Sequence, residues 1–323
     1  MKKRTMIGIA AAAVAVTLSL INASWIALEP KGRLVLVARR GLAQQIDPQG
    51  VDEGGCTATR IRWNEDNPYI ENSLPSIYKA ARLGADAIEV DVQKTRDGQM
   101  VLFQDATLEC RTNGKGKIGD HTLAELKALD IGYGYTADGG KTFPLRGRGL
   151  GGMPTIDEAL REVPTIRLVF NFRSGDPGDA DALVAAFRRA GVPIGAKYSF
   201  YGDSAVTQRL RKLVPGVWAY GKEEIRGCLE DYVRIGWISY VPASCRDTTV
   251  AVPLERQWTI WGWPNRFQAR MAAVNTKVIM LDRERDGGLA GIETVEQLDD
   301  VPRDFRSYLW IEDFYGVGRT VQR

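Results

Sequence analysis

Two acidic residues in the run AIEVDV, Glu89 and Asp91, are the first candidates for chemistry. The apolar residues Ile88, Val90 and Val92 alternate with them, which predicts a strand that points both acids to one face. Two carboxylates on a buried face are costly unless they pair with cations or bind a metal. Because oxygen ligands suit hard cations, we predict a Mg²⁺ or Ca²⁺ site here. The alternative is that internal arginines satisfy both acids.

A second polar pair, Asn171 and Arg173 in VFNFRS, also shares one face of a predicted strand. The side-chain carbonyl of Asn171 suits the same cation, and the guanidinium of Arg173 has the fork geometry that binds phosphate. Two further arginines, Arg39 and Arg40, follow the apolar run VLVA. Carboxylates, an amide and several cations together predict a metal-assisted site for a phosphate group.

Apolar, strand-like runs alternate with helical patterns along most of the chain, which predicts a parallel sheet covered by helices. No Gly-rich dinucleotide loop follows the first run, so within the α/β class a (β/α)8 TIM barrel is favoured over a doubly wound sheet. The predicted strands are 34–38, 87–92, 100–104, 166–172, 194–200, 217–221, 237–242, 258–263, 278–282 and 308–313. Because this set exceeds eight, one or two strands near the carboxyl end must be wrong or lie outside the barrel.

The long connection 131–154 is rich in glycine and aromatic residues and has little helical pattern. Long ordered loops on barrels usually serve a site at the carboxyl ends of the strands, so we expect this one to do so. The alternative is a mobile surface excursion.

Composition excludes several function classes. The chain of 323 residues has a net charge of +3 without a basic block, so it lacks the charge pattern of a nucleic-acid-binding protein. His121 is the only histidine, which excludes a three-histidine zinc site. This residue precedes a predicted helix start, and we expect it to be a surface or capping residue.

The amino-terminal residues 1–28 have the pattern of an export segment. Basic residues at positions 2–4 precede an apolar run over 6–28 that is long enough to span a bilayer. The sequence around Ala23 is a weak cleavage site, so an uncleaved signal-anchor is favoured over a removed signal peptide. A buried amino-terminal helix is the remaining alternative.

The expected domain organisation follows from this segment. Residues 1–28 are the signal-anchor or signal peptide, residues 29–33 are a linker, and residues 34–323 form the barrel. Both a signal-anchor and a signal peptide would place the barrel outside the cytoplasm, in a periplasmic or extracytoplasmic location. A retained helix would also hold the barrel at the membrane.

The cysteine content suits an oxidising compartment, where up to two disulfides can form. No C-x-x-C spacing occurs, so a zinc knuckle is not expected. Three pairings are open to the four cysteines, Cys56, Cys110, Cys228 and Cys245.

The segment from Glu71 to Gly116 resembles the glycerophosphodiester phosphodiesterase family in the order and spacing of its motifs. These motifs are Glu-Asn, Gly-Ala-Asp, Glu-x-Asp-Val, Thr-x-Asp-Gly, an aspartate after a strand, and Arg-Thr-x-Gly. Shorter matches, among them ARRG, MPTIDEAL, VFNFRS and WGWPN, extend the resemblance from about Leu34 to about Gly318. It implies a barrel, a divalent metal and cleavage of glycerophosphodiesters into glycerol 3-phosphate and an alcohol, with two histidines as acid and base or nucleophile.

The resemblance also implies roles for the polar residues already described. Glu89 and Asp91 match the metal ligands, and Asn171 stands where the family usually has a third carboxylate ligand. Arg40 matches a phosphate-binding arginine, and Arg173 replaces a lysine. The expected small-molecule partner is therefore a glycerophosphodiester or another phosphate-bearing molecule.

Two departures from the family pattern bear on the activity. Arg39 and Gln104 stand at the positions of the two catalytic histidines. Each positioned acid–base group contributes roughly 10² to 10⁴ in rate, whereas arginine stays protonated and glutamine does not titrate. The chain is thus identified as a phosphodiesterase-like protein of the phosphoric diester hydrolase family whose ordinary mechanism is missing. The alternative is a catalytically silent binder of phosphodiesters, lipid headgroups or anionic glycans at the membrane surface.

The resemblance also implies a disulfide pairing. Cys56 follows the first strand and Cys110 follows the third, so both are expected at the carboxyl face of the barrel. Cys228 and Cys245 flank the segment WISYVP and are expected to pair locally.

Overall fold

The barrel is built from eight parallel strands in one curved, nearly closed sheet. The computed structural model describes residues 3–47, 55–285 and 288–321. Its strands are β1 (Val35–Arg39), β2 (Ala87–Lys94), β3 (Met100–Leu102), β4 (Arg167–Phe172), β5 (Ser199–Gly202), β6 (Ala219–Gly221), β7 (Thr249–Pro253), β8 (Lys277–Leu281), β9 (Arg283–Arg285), β10 (Gly288–Ala290) and β11 (Tyr308–Ile311).

The order of strands in the sheet is β6-β5-β4-β2-β1-β11-β8-β7, with β6 and β7 at its two ends. Strand β3 pairs antiparallel with β2 outside this order, and β9 and β10 form a separate antiparallel ribbon. The prediction of an α/β protein with a TIM-barrel fold is therefore confirmed at the level of a nearly closed eight-stranded barrel.

Register brings the predicted polar residues together inside the barrel. Arg39 pairs with Glu89, Asp91 pairs with Asn171, and Asn171 pairs with Tyr201 on the next strand. Alternate residues of a strand face one side, and the interior neighbours of these positions form a buried apolar layer that includes Val37. The polar layer therefore caps an apolar barrel core at the carboxyl ends of the strands.

Most of the helices cover the outside of the sheet, whereas the amino-terminal helix is largely exposed. The helices are α1 (Lys3–Asn22), α2 (Leu74–Arg82), α3 (Leu123–Lys127), α4 (Ile156–Glu162), α5 (Gly178–Ala190), α6 (Ser204–Leu213), α7 (Lys222–Ile235) and α8 (Asn265–Ala273). The helix start predicted after His121 is confirmed. Thr122 and Thr155 each cap a helix and form a capping box with the glutamate three residues later.

Two predicted strands near the carboxyl end are wrong. Residues 237–242 and 258–263 form turns and short 3₁₀ segments instead of strands. Trp237 is 41% exposed and Trp258 is 81% exposed, so residues with high strand propensity lie on the surface here. The strand of this region is β7, which is buried along its whole length.

The amino-terminal segment forms a helix, as its apolar pattern predicts, but α1 is shorter than the apolar run over 6–28. Arg270 donates hydrogen bonds to the carbonyl of Ile21 at 2.8 Å and to the side-chain oxygen of Asn22 at 3.0 Å, which fixes the helix end. Within residues 3–47, 55–285 and 288–321, no helix combines the length and apolar character needed to cross a membrane. The membrane-spanning helix predicted for residues 1–28 is therefore not supported.

Both predicted disulfides are present. Cys56 is bonded to Cys110, and Cys228 is bonded to Cys245. The first disulfide joins the long loop after β1 to the segment after β3. The second joins α7 to the segment before β7.

The two disulfides should differ in their contribution to stability. Their sequence separations are 54 and 17 residues, and longer loops lose more entropy when they are closed in the unfolded chain. We expect the Cys56→Ala/Cys110→Ala variant to lose about 4 kcal/mol and the Cys228→Ala/Cys245→Ala variant about 3 kcal/mol. Urea unfolding of both variants beside the unmodified chain measures this order, and a reversed order would contradict it.

Candidate functional site

The acid pair, Glu89 and Asp91, is almost completely buried within β2. Glu89 Oε1 accepts hydrogen bonds from the Tyr201 hydroxyl at 2.8 Å and from Asn171 Nδ2 at 3.1 Å. Its Oε2 accepts from the backbone N–H of Arg40 at 3.1 Å. Asp91 accepts from Asn171 Nδ2 at 2.7 Å and from Asn72 Nδ2 at 3.1 Å. Neutral donors from four parts of the chain therefore offset much of the cost of burying these acids.

Burial changes the acidity of the groups in this layer. Burial, together with the neighbouring Asp91 carboxylate, raises the pKa of Glu89 to about 7, although Arg39 and Arg40 oppose the shift. Burial and the Glu89 carboxylate also raise the pKa of the Tyr201 phenol well above its ordinary value, so this hydroxyl stays a hydrogen-bond donor. Both shifts favour the uncharged forms of Glu89 and Tyr201.

The arginine pair, Arg39 and Arg40, shares a single carboxylate. Arg39 Nη1 donates to Glu312 Oε2 at 2.6 Å, and Arg40 Nη2 donates to Glu312 Oε1. Burial alone would raise the pKa of Glu312, but the two guanidinium groups outweigh it and lower that pKa to about 2. Glu312 was not predicted from the sequence as a site residue. The pattern that could have identified it is an acidic residue directly after the apolar strand YLWI.

Each arginine of the pair keeps a donor for another group. Arg39 Nε and Arg40 Nε are buried, and neither finds a hydrogen-bond partner among the described residues. A buried N–H without an acceptor is costly, and an anion is an acceptor suited to such a charged donor.

The backbone at the end of β1 is shaped to place Arg40. This residue has φ of 55°, in the left-handed region that non-glycine residues rarely adopt, and Gly41 follows with φ of 78°. A Cβ at Gly41 would lie 2.4 Å from Ser76 Oγ, so only glycine fits there. The strained turn directs the Arg40 N–H onto Glu89 and its side chain onto Glu312.

Gln104 is held at both ends of its side chain. Its Oε1 accepts from Arg40 Nη1, and its Nε2 donates to Asp105 Oδ1 at 3.0 Å. Its backbone carbonyl accepts from Arg173 Nε at 2.9 Å. The structure therefore brings Gln104 and Arg173, two predicted site residues, into the same network as the arginine pair.

The long connection 131–154 packs against the outer part of this network. The Arg111 guanidinium lies 3.0 Å from Asp105, 3.1 Å from Glu71 and over the Tyr135 ring, with 5.3 Å to the ring centroid. Tyr135 belongs to the long connection, so that segment supports the site as expected.

Lys222 is a second residue that sequence reasoning missed. It is the first residue of α7, directly after β6, and is half-buried. Burial lowers its pKa and the neighbouring Arg173 lowers it further, while Asp91 acts in the opposite direction. The pattern that could have identified it is a lysine directly after the carboxyl end of a strand.

His121 lies apart from the site, as predicted. Its Nε2 lies 2.8 Å from the carbonyl of Lys115, and its Nδ1 lies 3.9 Å from the Glu125 carboxylate. It is a partly exposed residue of the segment before α3.

The predicted metal ligands are adjacent, but their arrangement does not fit a divalent cation. Among the residues that the structure describes, no group of three or more histidine, cysteine, aspartate or glutamate side chains could hold a metal ion. Asn171 directs its NH₂ group at the acid pair and leaves its Oδ1 buried without a partner in the described chain. The amide thus presents donors where a cation would need an oxygen.

One segment of the chain is similar in sequence to known proteins. Residues 62–179 match the sequence model of the glycerophosphoryl diester phosphodiesterase family. This segment is therefore similar to a domain of that family. The glycerophosphodiester phosphodiesterase of Caldanaerobacter subterraneus subsp. tengcongensis is 35% identical over 122 residues, which are 38% of this chain and 41% of the relative. That of Bacillus subtilis is 32% identical over 126 residues, which are 37% of this chain and 41% of the relative.

The chain thus spans about two fifths of the length of these curated relatives. The family segment 62–179 contains Glu89, Asp91, Gln104 and Asn171, whereas the arginine pair and Glu312 lie outside it.

Solved structures of the family share the fold over most of the chain. The glycerophosphoryl diester phosphodiesterase domain of an uncharacterized Mycobacterium tuberculosis protein aligns with a TM-score of 0.62 at 16% identity, covering 88% of this chain and 97% of that one. An Oleispira antarctica phosphodiesterase in complex with the product sn-glycerol-3-phosphate aligns with a TM-score of 0.57 at 17% identity, covering 86% and 93%. These likenesses establish the fold.

Proposed function

We propose that this glycerophosphodiester phosphodiesterase-like protein binds a phosphodiester group at the carboxyl face of its barrel and lacks the family's acid–base reaction. The observation that carries the proposal is the arginine pair, in which Arg39 and Arg40 each keep a buried Nε–H without a partner in the described chain. A phosphodiester oxygen is an acceptor suited to such charged donors.

The charges around the pair favour an anion with a single negative charge. Glu312 neutralises one of the two guanidinium groups, which leaves one positive charge for a ligand. A phosphodiester carries one negative charge, so it matches this balance. Arg173, which donates to the backbone carbonyl of Gln104, supplies a further guanidinium group for the same phosphodiester.

The side chains at the histidine positions support binding without the family's reaction. Burial opposes the charged form of Arg39, but the carboxylates of Glu312 and Glu89 outweigh it and raise its already high pKa, so this side chain stays protonated near neutral pH. Gln104 uses its carbonyl on Arg40 and its amide on Asp105. Neither residue is free to act as an acid or base, whereas the Nε–H of Arg39 remains a donor for a ligand's oxygen atom.

The comparisons support a glycerol-linked phosphodiester as the ligand class. The curated relatives are glycerophosphodiester phosphodiesterases, and the Oleispira antarctica structure contains sn-glycerol-3-phosphate. The proposal extends to this chain only the binding of that class.

The proposed location is outside the cytoplasm, at a membrane surface. Two disulfides favour an oxidising compartment. The α1 side chains of Ile7 and Val16 are 63% and 57% exposed, and such apolar exposure supports contact of this helix with lipid.

Binding should depend on the arginine pair. Arg39→Gln and Arg40→Gln should each weaken glycerophosphocholine binding about tenfold to a hundredfold, because a charge-assisted hydrogen bond is lost. Isothermal titration calorimetry of the EDTA-treated full chain measures this change, with circular dichroism as the check on folding.

The matched control is Arg209→Gln, which removes an exposed arginine paired with Asp181. It should leave the affinity unchanged. The absence of binding by the unmodified chain, or equal weakening by the control, would overturn the proposal.

A further inference from the structure

The four oxygen atoms of the acid pair are already occupied by the chain itself. Both oxygens of Glu89 and both of Asp91 accept at least one hydrogen bond from another residue, at distances of 2.7 to 3.1 Å. Their donors are neutral: two side-chain amides, a phenol and a backbone N–H. Satisfaction of a buried carboxylate by neutral donors removes the main physical reason to recruit a metal.

Asn171 occupies the position between the two acids. Its single Nδ2 atom lies 3.1 Å from Glu89 Oε1 and 2.7 Å from Asp91 Oδ1, so it bridges the carboxylates. Ionised carboxylates only accept hydrogen bonds, which forces the amide to turn its NH₂ group towards them. The oxygen of Asn171 therefore faces away from the place where a shared cation would lie.

Guanidinium groups supply positive charge to the same layer. Arg39 is opposite Glu89 in the strand register, and Arg173 Nε lies 3.7 Å from Asp91 Oδ1. Burial opposes the charged form of Arg39, yet the carboxylates of Glu312 and Glu89 more than compensate and raise its pKa. A divalent ion would therefore add two positive charges beside guanidinium groups that already face these acids.

We propose that the chain supplies its own cations to the acid pair and that Glu89 and Asp91 bind no divalent metal ion. Asn171 replaces the bridging contact of a metal, and Arg39 and Arg173 replace its charge. This inference does not rest on the proposed ligand, because it concerns the protein alone.

Metal titration of the EDTA-treated full chain tests the inference. We expect the electron paramagnetic resonance signal of free Mn²⁺ to be unchanged by the protein, and the melting temperature to be unaffected by Mg²⁺, Ca²⁺ or Mn²⁺ at millimolar concentration. Saturable binding of one ion per chain that is lost in Glu89→Gln would overturn the inference.

The Asn171→Asp variant should gain the ability to bind a divalent metal ion. It removes the bridging donor and adds a third carboxylate of the same size, so the variant should be less stable without metal and regain stability with it. We expect saturable Mn²⁺ binding and a metal-dependent rise of several degrees in melting temperature. A folded variant that gives no metal response would contradict the assigned role of the Asn171 amide.

The matched control is Asn265→Asp. Asn265 is also buried and donates to a carboxylate, that of Asp304 at 3.2 Å, but on α8 instead of in the site. This change also places a carboxylate beside an acid, so it should lower stability without any rescue by metal. An equal metal response in both variants would show that the binding is not specific to the acid pair and would overturn the inference. If Asn171→Asp does not fold, the titration of the unmodified chain decides alone.

Discussion

Glycerophosphocholine should be hydrolysed by the purified chain at least about 10⁴-fold more slowly than by the Bacillus subtilis relative under the same conditions, because two acid–base groups are missing. Arg39 holds its proton and is paired with Glu312, and Gln104 does not titrate. The measurement is the release of glycerol 3-phosphate, followed with and without Mg²⁺ or Ca²⁺.

Restoring the missing groups provides the complementary experiment. The triple variant Arg39→His/Gln104→His/Asn171→Asp returns two titratable side chains and a third carboxylate, and it should gain metal-dependent turnover. Circular dichroism and gel filtration check that it folds. Turnover by the unmodified chain near that of the relative, and its loss in Glu89→Gln, would contradict the account.

Glu312→Gln should cost about 3 kcal/mol of folding free energy at neutral pH, since its removal leaves two buried guanidinium groups without their carboxylate. The folded-state pKa of Glu312 is about 2, below the ordinary value of 4.5. A lowered pKa contributes stability that is fully present above about pH 4.5 and is lost as pH falls through 2. The difference between the variant and the unmodified chain should therefore shrink as the solution is acidified below pH 4.5.

Urea unfolding of both proteins across this pH range measures the difference. Asp181→Asn is the matched control, because Asp181 pairs with Arg209 at 2.7 Å on the exposed surface. An exposed pair contributes about 0 to 1 kcal/mol, so this control should change little. A Glu312→Gln variant as stable as the control at neutral pH would show that Glu312 does not anchor the arginine pair.

Much of the site could be predicted from the sequence because a strand alternates its faces. Glu89 and Asp91 were placed on one face by the apolar residues between them, and Asn171 was placed beside them by the same argument on β4. The barrel followed from alternation of strands and helices, and the disulfide pairing followed from the family resemblance.

The rest depended on contacts that no local pattern encodes. Glu312 lies 273 positions from Arg39 in the sequence, and only closure of the barrel brings the two together. The orientation of the Asn171 amide follows from the carboxylates that surround it and cannot be read from its residue type. Trp258 belongs to a segment with strand propensity, but it is exposed outside the sheet, so propensity was overridden by tertiary structure.

The changes at positions 39, 104 and 171 form one coherent set. By the family resemblance, Arg39 and Gln104 stand at the positions of the two acid–base groups and Asn171 at that of a third carboxylate, and Gln104 contacts Arg40. Under the proposed function, these residues lower the capacity for metal-assisted hydrolysis and keep donors for an anion. The barrel would then carry a site that holds a phosphodiester.

Phosphorus-31 nuclear magnetic resonance of glycerophosphocholine with the EDTA-treated full chain tests this account most directly, because one spectrum reports both binding and cleavage. The account predicts that the phosphodiester resonance broadens or shifts as protein is added, and that no glycerol 3-phosphate resonance grows over time, with or without added Mg²⁺ or Ca²⁺. A growing glycerol 3-phosphate resonance that requires the added metal and disappears in Glu89→Gln would contradict it.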